Sequence, residues 1–353
     1  MLYLGIDQHK RFSQVAVIDD GGRTVRQEKL YHDDRVRMRR FFSELAGSPA
    51  ALEATRNWDW LWEMLEEEGV RPVLSNPSQT RLIADAKVKT DKVDARTLAQ
   101  LLRTGFLPTV QVLPRGARDA RELHRFRMRL VRMRTRIKNQ VHAILDRQGI
   151  RTPDVSDLFG KAGRAFLDEL TLGAPYDLEL SALLSLLDAI TAQIARVMRP
   201  LKKTLREDPR SRHLLSVPGI GDVLGYLILH EIGDVRRFRS AKRFSSYSAL
   251  VPQTKQSADR LWQGKTGRRG NLYLKWALVE AAHTARKRDP MLGDLYDRIC
   301  RKKGPQKAIV AVARRLSIVV YRVLSQQRMY ETVRETTPGR PAASLGRRTA
   351  DRS

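Results

Sequence analysis

The chain opens with two short apolar runs and a third, more polar segment, all of strand character. Leu2 to Asp7 and Ser13 to Ile18 read as strands, Asp19-Asp20-Gly21-Gly22 as a turn, and Thr24 to Leu30 as a third strand. The period then lengthens. Asp34 to Leu45 has helical spacing, with Val36, Phe41, Phe42 and Leu45 expected on the inner face. Ala50 to Glu53 predicts a short buried strand, and Trp58 to Glu68 a helix with Trp58, Leu61, Trp62 and Leu65 on one side, stopped by Gly69. Arg71 to Leu74 is a further strand, and Asn76-Pro77 opens the next helix. The order βββαβαβα is that of a ribonuclease H-like α/β sheet.

Strand periodicity then ceases. From Arg115 to Arg147, Leu123, Phe126, Leu130, Met133, Ile137, Val141 and Ile144 recur at three- and four-residue steps, which predicts one long amphipathic helix. A second runs from about Leu178 to Leu205, with Leu180, Leu183, Leu184, Leu187, Ile190, Ile194, Val197 and Leu201 on its apolar face. The two are expected to form an antiparallel hairpin or a dimeric coiled coil, with a short helix in the Gly149–Pro175 connection. Beyond Leu214 the pattern is mainly helical to about Tyr330. The expected division is 1–108 for the α/β domain, 109–206 for the long helices, 207–336 for a mainly α domain, and 337–353 for a Pro/Gly/Arg/Ser-rich disordered tail.

Charge narrows the function. Among 353 residues, 66 Lys and Arg face 39 Asp and Glu, a net charge of +27, which points to a polyanionic partner. The Arg115–Arg147 helix holds eleven basic residues against three acidic ones, and Arg125, Arg129, Arg132 and Arg136 are expected to contact nucleic acid. The lone cysteine, Cys300, excludes disulfides and cysteine-based zinc sites. The absence of a signal-peptide pattern and of any run of 18 apolar residues leads us to expect a cytoplasmic protein of prokaryotic type with no membrane span.

Against this basic background the acids stand out. Asp7 and Glu53 end predicted strands. Thr90 can cap a helix whose first turn presents Asp91 and Asp94 on one face, flanked by Lys89 and Lys92, which could reach a nucleic-acid backbone. Acids in a first helical turn also complement the helix dipole, so the pair alone has a structural reading. Together the four acids can converge to hold Mg²⁺, which takes oxygen ligands and shares them with substrate phosphates. A pair of such ions about 3.5–4 Å apart can stabilise both the entering and the leaving oxygen of an in-line displacement.

Farther along, Ser257 is expected in a polar loop. Gly264, Gly267 and Gly270 with Lys265, Arg268 and Arg269 suggest an anion cradle beside it. Ser246 and Ser248 are nearby alternatives to Ser257. Val217-Pro218-Gly219-Ile220-Gly221 resembles the turn of a helix-hairpin-helix, whose amides can approach a phosphate.

Taken in order, Gly5-Ile6-Asp7, Leu52-Glu53-Ala54-Thr55, Lys89 to Arg96, Val217 to Gly221, Tyr247 to Pro252 and Gly267 to Asn271 resemble the DEDD-type insertion-sequence transposases, the bridge-RNA-guided recombinases of the "IS one-ten" group. The resemblance runs from Met1 to about Tyr330. It implies a RuvC-like domain in which Asp7, Glu53, Asp91 and Asp94 bind Mg²⁺, and a C-terminal transposase domain in which Ser257, five residues after Pro252, is the nucleophile. It also implies a homodimer or homotetramer that acts on donor and target DNA under the direction of a structured guide RNA gripped by the basic helices. The chain differs from the common family pattern at Ala258 and Arg56. The alternatives are a RuvC-like structure-specific endonuclease using metal-activated water, and a non-catalytic nucleic-acid-binding protein.

Overall fold

The computed structural model describes residues 1–83, 90–257, 260–266 and 270–331, and for 253–257 and 260–266 the backbone only. The chain divides into two compact units, Met1–Leu113 and Pro114–Ser353.

The first unit is built on a five-stranded sheet. Strands β1 (Tyr3–Gln8), β2 (Phe12–Ile18) and β3 (Thr24–Tyr31) form the expected antiparallel meander. Helix α1 (Arg35–Ser43), β4 (Pro49–Glu53), α2 (Trp58–Glu67), β5 (Arg71–Ser75), α3 (Pro77–Ile83) and α4 (Asp91–Arg103) follow. The sheet order is β3-β2-β1-β4-β5, with β4 parallel to both β1 and β5, the order of a ribonuclease H-like sheet. Strand alternation sorts side chains onto two faces. Leu4, Ile6, Ala50, Leu52 and Leu74 enter one core with Met38, Phe41 and Phe42 of α1 and Leu61 and Leu65 of α2. Burying a side chain such as Phe42 contributes about 1.5–3 kcal/mol. Val36, expected on the inner face of α1, is exposed, and Met38 is buried there with Phe41 and Phe42.

The intervening residues, Gly5, Asp7, Ala51, Glu53, Val73 and Ser75, belong to the opposite face, which α4 covers. Ala51 packs there with Leu98 and Leu107. Gly5 is what lets α4 come so close. A Cβ at this position would lie 1.9 Å from the Ala95 carbonyl oxygen and 2.5 Å from the Ala99 amide nitrogen.

The second unit is mostly helical. It comprises α5 (Arg115–Arg147), α6 (Lys161–Glu169), α7 (Tyr176–Glu207), α8 (Ser211–Leu215), α9 (Asp222–Ile232) and α10 (Ala241–Tyr247), strands β6 (Pro252–Ser257) and β7 (Arg260–Thr266), then α11 (Leu272–Arg288), α12 (Pro290–Lys303) and α13 (Pro305–Gln326). The end of α5 packs on the start of α7 through Val141, Leu145, Leu180 and Leu184. Earlier in α5, Met128 and Leu130 share a core with Ile194, Val197 and Leu201 of α7 and with α9, α11 and α13. By length and composition alone α7 could cross a membrane; its buried residues face α5 and its neighbours. Phe126 and Met133, expected on the apolar face of α5, are exposed instead.

Between α8 and α9 the Val217–Gly221 turn is pressed onto α11. Gly219 has φ of +84°, and a Cβ there would lie 2.2 Å from the Ala281 carbonyl oxygen. The segment around Ser257, expected to be a loop, is an antiparallel hairpin of β6 and β7. Its alternating Thr254, Gln256 and Leu261, Gln263 carry too few apolar residues to mark a strand, so polarity masked the pairing. The expected disordered tail, 337–353, lies outside the described residues.

Candidate active site

The sheet register brings Asp7 and Glu53 together. Ile6 pairs with Leu52 on the adjacent parallel strand, so the next residues, Asp7 and Glu53, stand side by side at the carboxyl ends of β1 and β4. Both belong to the face covered by α4. That helix starts where Thr90, in extended conformation, accepts a 3.3 Å hydrogen bond at Oγ1 from the Val93 amide. Its first turn carries Asp91 and Asp94. Three ligand atoms, one each from Asp7, His9 and Asp91, fall within 4.8 Å of one another. His9 Nε2 is 3.0 Å from Asp7 Oδ2 and 3.3 Å from Asp91 Oδ1.

Electrostatics mark the cluster as short of positive charge. Burial pushes the Asp7 carboxyl above the ordinary carboxylate range. Its contact with His9 pulls the other way, and the neighbouring Asp94 and Asp91 add to the upward push. In a chain of net charge +27, acids crowded closely enough to raise the proton affinity of Asp7 form an arrangement suited to a cation. The converging donors are two carboxylate oxygens and one imidazole nitrogen, and the carboxylate oxygens suit a hard divalent ion such as Mg²⁺. On the same sheet face Ser75 pairs with Glu53. It is fully buried, and its hydroxyl has no hydrogen-bond partner among the described residues. The residues present therefore fit a metal site.

Sequence reasoning missed His9. Its signal was its place two residues after Asp7, where the chain turns from β1 into β2.

Ser257 is the last residue of β6, paired in register with Arg260. Lys265 lies in β7, and Lys89, Arg268 and Arg269 lie outside the described residues. Lys92 is exposed on the first turn of α4, and Arg132 and Arg136 are exposed along α5. Arg129, also exposed, pairs with Glu122 at 2.6 Å.

Arg125 departs from expectation. Its Nε and Nη2 donate to the two carboxylate oxygens of Glu231 at 2.8 and 2.9 Å, and Glu231 is 1% exposed. Arg121 Nε lies 3.3 Å from the same carboxylate, and Asn271 Nδ2 donates to it at 2.7 Å. Arg125 is therefore a structural residue that ties α5 to α9. The helical pattern hid this because the partner lies 106 positions away. Asn271 in turn caps α11, accepting at Oδ1 from the Tyr273 and Leu274 amides. A cleft of about 470 Å³ beside the Val217–Gly221 turn is lined by Thr284 and Arg288, a setting suited to a phosphate.

Comparison with known proteins gives a consistent result. Residues 4–149 match the model of the DEDD Tnp IS110 family, described as a transposase, and residues 211–297 match the "Transposase IS116/IS110/IS902 family". The chain is 27% identical to a probable family 20 transposase of Pseudomonas aeruginosa, across 93% of this chain and 98% of that protein. It is 25% identical to the transposase for insertion sequence element IS1328 of Yersinia enterocolitica, covering 79% and 82% of the two chains. It is 22% identical to the transposase for insertion sequence element IS1111A of Coxiella burnetii, covering 93% and 90%.

Proposed function

Since this chain belongs to the IS110 family of insertion-sequence transposases and acts in DNA transposition, we propose that it cuts and rejoins DNA strands with a serine nucleophile and an acidic metal pocket. The observation that carries this reading is the convergence of Asp7, Asp91 and Asp94 beside Glu53 at the carboxyl ends of the two central strands. Asp7, Glu53, Asp91 and Asp94 would hold Mg²⁺, which supplies charge neutralisation at a reacting phosphodiester.

The chain's own residues do the rest. The Ser257 oxygen attacks phosphorus, forming a phosphoserine ester as the bond from phosphorus to one bridging oxygen breaks, and the freed strand end takes up a proton. Attack by a hydroxyl of another strand reverses the step, releases the serine and joins the new partners without net hydrolysis. The exposed Lys92, Arg129, Arg132 and Arg136, with Lys89, Lys265, Arg268 and Arg269, contribute charge toward phosphate backbones. The basic face of α5 suits a structured guide RNA, and its exposed Phe126 and Met133 suit a second copy of the chain in a dimer or tetramer. The protein works in the cytoplasm, on the nucleoid when bound to DNA.

The test is to stop the reaction in denaturant and look for protein covalently joined to DNA. Wild type gives an Mg²⁺-dependent adduct, and Ser257→Ala abolishes both adduct and cleavage. Cleavage that survives in Ser257→Ala without an adduct would instead identify a hydrolase using metal-activated water. Sequencing the nucleic acid that co-purifies with the chain tests the guide: one defined RNA species is expected.

A further inference from the structure

We propose that His9 is a nitrogen donor of the acidic pocket, so that the pocket takes a first-row transition ion such as Mn²⁺ in preference to Mg²⁺. This deepens the reading above and rests on it. The argument is geometric. Neighbouring ligand atoms on an octahedral ion with bonds of about 2.1 Å stand about 3.0 Å apart. His9 Nε2 stands 3.0 Å from Asp7 Oδ2 and 3.3 Å from Asp91 Oδ1, close to two edges of such an octahedron. The imidazole therefore already shares the donors' side of the pocket.

Its place is fixed from several directions. The His9 amide donates to the Phe12 carbonyl at 2.9 Å, which closes the turn from β1 into β2. Asn57 Nδ2 donates to the His9 carbonyl at 3.1 Å, and Gln8 Nε2 donates to the Asn57 carbonyl at 2.9 Å. The ring stacks on Phe12 with centroids 4.6 Å apart and planes 29° apart. A side chain held this way is preorganised, as ligating imidazoles are. Phe12 covers one ring face and leaves the Nε2 edge to the carboxylates.

The chemistry of choice between ions follows. Mg²⁺ is hard and gains little by exchanging a water for an imidazole, whereas first-row transition ions gain more. A pocket of carboxylates alone would not separate the two classes in this way. With His9 included, the pocket has one donor that does.

The experiment uses the full chain, freed of metal, with Mn²⁺ as the probe. Titration followed by the free-ion signal in electron paramagnetic resonance gives affinity, Mg²⁺ competition gives the ratio, and pulsed measurement reads coupling to directly bound nitrogen. We expect ¹⁴N coupling in the wild type that disappears in His9→Ala. We also expect a loss of Mn²⁺ affinity of about tenfold with a much smaller change for Mg²⁺. His9→Gln keeps an amide donor to the carboxylates but no imidazole, and it should behave as His9→Ala does. Circular dichroism verifies that both variants fold.

Mn²⁺ binding without nitrogen coupling, or an unchanged Mn²⁺/Mg²⁺ ratio in His9→Ala, overturns the proposal and leaves the acids as an oxygen-only site. Recovery of the wild-type ratio in His9→Gln also overturns it, since His9 would then act only as a hydrogen-bond donor. If Asp7→Asn and Asp91→Asn bind Mn²⁺ as wild type does, the acidic pocket itself fails, and the proposal with it.

Discussion

Gly5→Ala is the sharpest perturbation of the link between fold and chemistry. The new methyl carbon would be placed 1.9 Å from the Ala95 carbonyl oxygen and 2.5 Å from the Ala99 amide nitrogen, both backbone atoms of α4. Ordinary van der Waals contact begins at about 3.4 Å, so strand and helix must part by about 1.5 Å at this point. Ala95 directly follows Asp94, and Asp91 lies one turn earlier, so the shift moves both acids away from Asp7, two residues along β1. Overpacking of this kind costs about 1–3 kcal/mol. A misplacement of about 1 Å in a reacting constellation costs about 100-fold in rate. Chemical denaturation measures the first effect, and Mg²⁺-dependent strand cleavage, scaled to folded protein, measures the second. Gly116→Ala is the control. Nothing lies within 4 Å of the added carbon, and the site is in the first turn of α5, where alanine is favoured over glycine by up to about 1 kcal/mol. Wild-type stability and cleavage in Gly5→Ala would refute the claim that this contact sets the spacing of the acids.

Other consequences can be checked separately. Asp7→Asn should abolish Mg²⁺-dependent cleavage yet raise the melting temperature of the metal-free chain. Burial and neighbouring acids raise the Asp7 pKa above its unfolded value, so the ionised form opposes folding at neutral pH; a lower melting temperature would contradict this. Glu231→Ala leaves Arg121 and Arg125 facing a buried gap and should cost about 3–5 kcal/mol by denaturant titration; a loss under 1 kcal/mol would show the network to be incidental. His124 is 1% exposed, neither ring nitrogen has a partner among the described residues, and burial takes its pKa down to about 3. Its neutral form is the folded one, so stability should fall as pH drops through the unfolded value near 6.5, by about 2 kcal/mol at pH 5. His230, lowered to about 4, acts in the same direction. Denaturation midpoints at pH 7.5 and 5 test this, and a slope reduced in His124→Gln, with the share of His230 remaining, would assign it.

Local pattern made the N-terminal unit legible because period and position coincide there. Once Leu2 to Asp7 is read as a strand, strand geometry sends Leu4 and Ile6 to the core with α1 and α2, and a capping threonine located the first turn of α4. Once β1 and β4 are parallel neighbours, the meeting of Asp7 and Glu53 follows from register alone. What stayed hidden depends on partners remote in sequence. Arg125 looks like any other basic residue on a surface helix. Only the fold reveals that Glu231 lies beneath it and converts it from a phosphate contact into part of a buried lock. His9 was hidden for a related reason. A histidine in a turn has no periodicity to betray it, and its importance arises when α4 carries Asp91 to its side. The hairpin holding Ser257 escaped notice because polar strands lack the apolar alternation that marks a buried face. Strand pairing there rests on backbone hydrogen bonds. Polarity that reads as a loop is thus compatible with a serine held at a defined register position, paired with Arg260.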